Sequence, residues 1–229
     1  MKLKVKETLQ NERGNIALFV IGILAVMMIL FVFVLNLSKV FAVKEQADST
    51  TQQASIAATA VMYEELEGVI AEYETWLIGK LDSYPETIGE KVDEKIIDLN
   101  SDPDYNDYSA NEISIEALDM VLIEELEHGF GKKELAEKLE DEIEHDIVKK
   151  MKNKARQTIV ENGGNLEGAT LEIENGQVYI KASNTVEGTS YKGFFDNFSD
   201  ELFQQSGGPK MDFLEHIPFF DVGVESLES

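Results

Sequence analysis

The chain has 229 residues, 44 of them acidic against 20 basic, and a formal charge of −24. A surface that acidic repels phosphate backbones, which excludes nucleic acid as a partner. There is no cysteine, so disulfide frameworks, thiol chemistry and Cys-ligated zinc are excluded as well.

Residues 1–14 form a basic N-terminus, with Lys2, Lys4, Lys6 and Arg13 against Glu7 and Glu12. From Ile16 to Leu35 there is no charge, no proline and no side chain more polar than methionine. At the helical rise this run spans roughly 30 Å, the thickness of a bilayer's hydrocarbon core. A core helix of a water-soluble domain would carry a polar stripe, and this one has none. A signal peptide would end in a small-residue cleavage site, whereas Asn36-Leu37-Ser38-Lys39 comes next here. The run therefore predicts a retained transmembrane helix over 15–36. Four basic residues precede it and only Lys39 and Lys44 come closely after it, which favours a cytoplasmic N-terminus. Residues 45–229 then lie on the extracytoplasmic side, and their 14 basic and 42 acidic residues set a charge of −28 there.

No stop signal separates the apolar run from the polar residues downstream of it. Between Ser38 and Leu81 there is no proline, and the only glycines are Gly68 and Gly79. Ala47, Ala54, Ala58, Val61, Val69, Tyr73, Trp76 and Leu77 recur near helical spacing. This predicts one helix from Ile16 to Leu81, bent near Gly68 and closed by Pro85, with 37–81 as an extramembrane stalk. Its stretch Ala47–Ala60 holds one large apolar side chain, Ile56. Ala47, Ala54, Ala57 and Ala58 there allow another helix to approach closely; the alternative is a solvated spacer.

Residues 82–164 read as an acidic helical region. A short helix is expected over Glu86–Leu99, and after it the loop NSDPDYNDYSANE. Ser109 and Glu112 have capping-box spacing, and Ile115, Leu118, Leu122 and Leu126 share one face up to Gly129 and Gly131. Leu135, Leu139, Ile143, Ile147 and Met151 repeat every fourth residue in a last helix. Acids crowd its first half, while Lys149, Lys150, Lys152, Lys154 and Arg156 crowd its end, as the helix dipole favours. Gly163-Gly164 terminates it.

Residues 165–229 change character. ATLEIENGQVYIKAS alternates with period two around Asn175-Gly176, a hairpin signal that sets Ile173 opposite Val178 and Leu171 opposite Ile180. Thr185–Lys192 is expected to add a third strand. Phe194, Phe195, Phe198, Phe203, Phe213, Phe219 and Phe220 either close a core against the sheet or present a patch to a partner. The fold class is α+β: a transmembrane helix continuing into a long extramembrane helix, then helices and a small antiparallel sheet.

Candidates for chemistry are few. Glu125…His128 and Glu142…His145 have the Glu-x-x-His spacing that places two metal ligands on one helical face. Residues 112–146 hold ten glutamates, however, so composition alone produces that spacing. Asp102 and Asp104 lie in a loop of alternating oxygen ligands, but the calcium-loop glycine and the closing glutamate are replaced by Asp107 and Ile113. Weak divalent-cation binding is the most such a loop offers. No nucleophile triad or phosphate loop is present, so neither an enzyme nor a cofactor is expected.

The segment NERGNIALFVIGILAVMMILFVFVLNLSKVFAVKEQADSTTQQASIAATAV, residues 11–61, resembles the N-terminal module of TadE/TadG-like proteins of the Tad (tight adherence, Flp) pilus system. Arg13-Gly14 precede the span, Asn36 supplies the polar step, and an Ala- and Asp-containing helix comes after it. The resemblance implies a membrane-anchored accessory or structural protein of pilus assembly, with pilus-assembly or pilin proteins as partners. A minor pilin or surface adhesin is the alternative: Gly14 stands where prepilin peptidase would cut, yet the fifth residue after it is Phe19 instead of the expected glutamate. A carboxylate-rich metal-binding protein is the third reading.

Overall fold

The computed structural model describes residues 12–80, 86–187, 199–217 and 222–228. Helix α1 runs unbroken from Glu12 to Ile78, 67 residues. Gly68 lies inside it without a break, because the helix needs no left-handed residue there. Between Ile16 and Leu35 every large apolar side chain except Val32 is at least 45% exposed. Beyond Ala47 the helix acquires a buried face, and that face has two halves. From Ala47 to Thr59 it is small or hydroxylated: Ala47, Thr50, Thr51, Ala54, Ser55, Ala58 and Thr59. From Met62 onward it is large: Met62, Leu66, Val69, Tyr73 and Leu77.

Helix α2 covers Ile88–Ser101, two residues downstream of the span expected from sequence, because Thr87 and Glu90 form a capping box that fixes its start. A 3-10 turn, Pro103–Tyr105, leads on. Helix α3, Ala110–His128, begins at the Ser109–Glu112 capping box read from the sequence. Its buried stripe is centred on Ile113, Ala117, Val121, Leu122 and Leu126, with Ile115 and Leu118 only half-buried. The shift arises because Ile113 and Ala117 pack on Leu99 of α2 in a small second cluster.

The last helical stretch is not uniform. Helix α4, Lys132–Glu142, passes through a π-turn, Ile143–Ile147, into helix α5, Val148–Glu161. All five of Leu135, Leu139, Ile143, Ile147 and Met151 are buried. A strict four-residue repeat runs ahead of the 3.6-residue turn, so apolar side chains drift around an ordinary helix. The wider π-turn offsets that drift and keeps the row on the core. Helix α5 ends in a Schellman motif: Gly163 has φ +72°, Gly163 N–H bonds Val160 O at 3.0 Å, and Gly164 N–H bonds Ile159 O at 2.8 Å.

Strands β1 (Asn165–Glu174), β2 (Gln177–Glu187), β3 (Ser199–Lys210) and β4 (Glu225–Ser226) form one antiparallel sheet of order β3-β2-β1-β4. The hairpin register is the one expected, Ile173 with Val178 and Leu171 with Ile180. Asn175 (φ 50°) and Gly176 (φ 70°) make the turn, both in the left-handed region that a type I′ turn requires. The third strand is not Thr185–Lys192. Thr185 to Glu187 finish β2, residues 188–192 lie outside the described residues, and Ser199–Lys210 supplies the third strand. Of the phenylalanines, Phe213 is fully buried and Phe203 lies on the outer face, 5.3 Å from the Lys181 ammonium. Phe194, Phe195, Phe198, Phe219 and Phe220 fall outside the described residues. One hydrophobic core joins the large half of the α1 face to α3, α4, α5 and the inner side of β1 and β2.

Candidate functional site

The first feature with functional meaning is the exposed apolar half of α1. It is long and apolar enough to cross a membrane, and none of its most apolar window is buried in the chain. Water would not tolerate so large an uncovered apolar surface, so its environment is lipid or another apolar protein surface. The same helix enters the folded core with no intervening linker.

The second feature is the small, polar half of the α1 face. The alanines expected to receive a neighbouring helix, Ala47, Ala54 and Ala58, are fully buried, while Ala57 is half-buried. Their occupants are the chain's own sheet and helix α5, which runs antiparallel along this stretch from the Lys150–Glu65 pair to the Gln46–Asn162 hydrogen bond. Thr51 Oγ1 lies 2.8 Å from Ser206 Oγ on β3, and Ser206 Oγ donates to Asp48 Oδ1 at 3.3 Å. Gly208 comes so close that an added Cβ would stand 2.6 Å from Thr59 Oγ1 and 3.0 Å from Ser55 O. Asn184 Nδ2 donates to Gly163 O at 2.9 Å, tying β2 to the end of α5. The small side chains do allow close backbone approach, and a glycine-bearing strand and helix α5 of the same chain both make it.

Third, the far end of α1 carries an aromatic cluster. Tyr73 and Trp76 stack at 6.1 Å, and the Lys80 ammonium lies 5.8 Å from the Trp76 ring. The turn Gly129-Phe130-Gly131 joins α3 to α4 over this cluster. A Cβ on Gly131 would meet the Trp76 ring at 2.7 Å and the Tyr73 ring at 2.9 Å; one on Gly129 would meet Glu125 O at 2.4 Å. Both glycines are therefore pressed inward, and Phe130 between them is 73% exposed. Beside it a cleft of about 220 Å³ is lined by Tyr73, Glu86, Lys91, Glu124, Glu125 and Phe130, among others. Glu125 is buried and paired with Lys91. The hydrogen bond to Glu125 raises the Lys91 pKa, against desolvation, with Glu124 and Glu86 adding to the rise. Burial raises the Tyr73 phenol as well, so it is a neutral group at neutral pH. Its oxygen lies close to the Gly131 backbone but makes no well-aligned hydrogen bond among the described residues. The sequence offers Glu125 and His128 only as weak metal-ligand candidates, and both line this cleft, but it does not assemble the aromatic cluster, whose one signal is the Gly-Phe-Gly triplet.

The metal candidates do not converge. The His128 side chain is largely exposed, 3.5 Å from Glu127, while Glu125 turns to Lys91. His145 lies in the π-turn, bonded to Asp141 O at 2.9 Å, and Glu142 is half-buried beside it in sequence. Asp102 accepts the Asp104 N–H at 3.0 Å as a turn cap. His216, isolated in the sequence, lies 3.2 Å from Glu127 Oε1. Among the described residues no three His, Asp or Glu side chains are placed to hold a metal ion.

One further titratable group is buried. Asp119 on α3 accepts the N–H groups of Asp212 and Phe213 at 3.1 and 3.2 Å, capping the 3-10 turn Asp212–His216. Burial outweighs those bonds and pushes its carboxyl up to about 6. It also raises the nearby Tyr63 phenol.

These features define an α+β domain built directly onto a long helix whose apolar end suits a bilayer. Residues 14–61 match the family model for Flp pilus-assembly TadE/G-like proteins, Tad. The match covers the apolar half of α1 and its small-residue face, and it stops before the large apolar half. No curated protein and no solved structure matches the chain.

Proposed function

We propose that the chain is a single-pass membrane protein of Tad/Flp-type pilus assembly, with residues 1–14 cytoplasmic, 15–36 in the bilayer and 37–229 on the extracytoplasmic side. Its role is structural or accessory: it holds a folded acidic domain at a fixed place beside other pilus-assembly or pilin proteins. The observation that carries this reading is the coincidence of the family match, residues 14–61, with the one helix among the described residues that leaves its apolar surface uncovered and then enters the core. The basic residues before the span favour the stated orientation. With no native cysteine, single reporters test it cleanly. Ser101→Cys should react with a membrane-impermeant maleimide on intact cells, and Thr8→Cys only after lysis; the reverse pattern would overturn the orientation. Deleting the chain should abolish surface pili and re-expression should restore them. Normal piliation without it would sink the assembly role.

A second reading, a minor pilin, is favoured by Gly14 directly before the apolar run and opposed by Phe19. A mature form beginning at Asn15, seen by intact mass of the native membrane protein, would select it. Uncut protein is expected.

A further inference from the structure

We propose that the cleft beside Phe130, at the end of α1 farthest from its apolar half, is a docking site for a basic side chain of a partner protein. Three carboxylates, Glu86, Glu124 and Glu125, surround the single Lys91 ammonium at this cleft. An anionic ligand is therefore disfavoured and a cation favoured. Tyr73 is almost wholly buried and lines the cleft, and its oxygen, close to the Gly131 backbone, makes no well-aligned hydrogen bond among the described residues. A buried polar atom without a partner is costly, and an incoming N–H donor relieves that cost. The cleft is thus rich in acceptors, while its one ammonium is already held by Glu125.

Arginine suits this lining best. Its planar head offers five donors in a fixed fork and stacks on aromatic faces. Phe130 supplies the apolar contact: it borders this cleft and a neighbouring one of about 390 Å³ that includes Trp76. A large exposed aromatic beside convergent polar groups is the composition of an interface anchor. Charge decides the occupant. Residues 45–229 carry −28, so a second copy of the chain is repelled, whereas a basic segment of another protein is attracted and steered. Along α1 the cleft stands roughly 57 Å beyond Leu35, away from the lipid surface. The inference stands independently of the pilus reading, since it rests on residues that the family match does not reach.

Trp76 is the only tryptophan in the chain and stacks on Tyr73, so its emission reports occupancy. The full-length protein in detergent micelles is titrated with acetyl-Gly-Arg-Gly-amide and with the same peptide carrying citrulline, using empty micelles as blank. The arginine peptide should give a saturable change, with the neutral citrulline peptide at least tenfold weaker. Tyr73→Phe, Glu124→Gln and Phe130→Ala should each weaken arginine binding about fivefold or more, while Glu167→Gln on the exposed edge of β1 leaves it unchanged. Phe130 projects into solvent, so its truncation keeps the fold even where Tyr73→Phe does not. Equal response to both peptides, no saturable response, or arginine binding indifferent to all three cleft variants would overturn the proposal. Indifference would mean diffuse attraction to an acidic surface.

Discussion

Gly208→Ala should destabilise the domain, because β3 presses its backbone against the small half of the α1 face. The added methyl would stand 2.6 Å from Thr59 Oγ1, 3.0 Å from Ser55 O and 3.2 Å from Ser55 C. Thr59 cannot simply rotate away. It is buried, β-branched, and its hydroxyl donates to Ser55 O at 3.0 Å. Helix and strand must therefore separate by several tenths of an ångström along a close-packed seam. Overpacking of this kind costs ~1–3 kcal/mol. At roughly 2–4 °C per kcal/mol for a domain of this size, melting should fall by about 2–12 °C. Melting of the full-length protein in detergent, monitored by circular dichroism, measures the loss. In a Thr59→Ala background the 2.6 Å contact is gone while the Ser55 carbonyl remains, so the same substitution should cost at least ~0.5 kcal/mol less. An unchanged melting temperature, or equal losses in the two backgrounds, would refute the close-approach argument.

The same seam distinguishes two other positions: Ala58→Trp should unfold or strongly destabilise the domain, whereas Ala60→Trp, on the exposed side of α1, should melt like the parent. Asp119 titrates near 6 in the fold and lower when unfolded, so the fold binds its proton more tightly. The stability this contributes is full below the unfolded pKa of about 4 and is lost as pH rises through about 6, worth ~2–3 kcal/mol. Urea midpoints between about pH 4 and 7.5 should show a larger decline with pH for the parent than for Asp119→Asn; parallel profiles would contradict this. His128→Ala with His145→Ala should leave melting and metal content unchanged, read by elemental analysis of purified protein, since neither imidazole lies in a ligand cluster.

Much of the fold was legible because local chemistry and packing agree. Helix α1 has no proline to stop it, Ser109 and Glu112 announce the start of α3, and Asn175-Gly176 dictates both turn and register. The misses share one cause, which is packing between segments distant in sequence. Strand β3 carries no strand signal because Gln204 to Pro209 lacks alternating apolar residues, yet small side chains are what the face of α1 can accept there. The alanines of α1 read as a close-packing surface, but their partners on α5 and β3 lie far downstream, Ser206 being 155 positions from Thr51. The Phe130 cleft combines α1, α2, α3 and the turn after α3. No single window of sequence contains it. The π-turn was foreshadowed by the four-residue repeat, but only the fixed core decides that backbone, and not the side chains, absorbs the mismatch.

Helix α1 also has a mechanical consequence. On the proposed membrane reading, a rigid rod clamped in a bilayer at one end and welded into a domain at the other acts as a lever with no joint. A tilt of about 20°, ordinary for a membrane-crossing helix, would sweep Trp76 sideways by roughly 20 Å at its distance from Leu35. Where a flexible tether would let the domain explore freely, this arm couples the tip's position to whatever leans on the buried end. Neighbours crowding the helix within the bilayer could thus aim the acidic head without touching it.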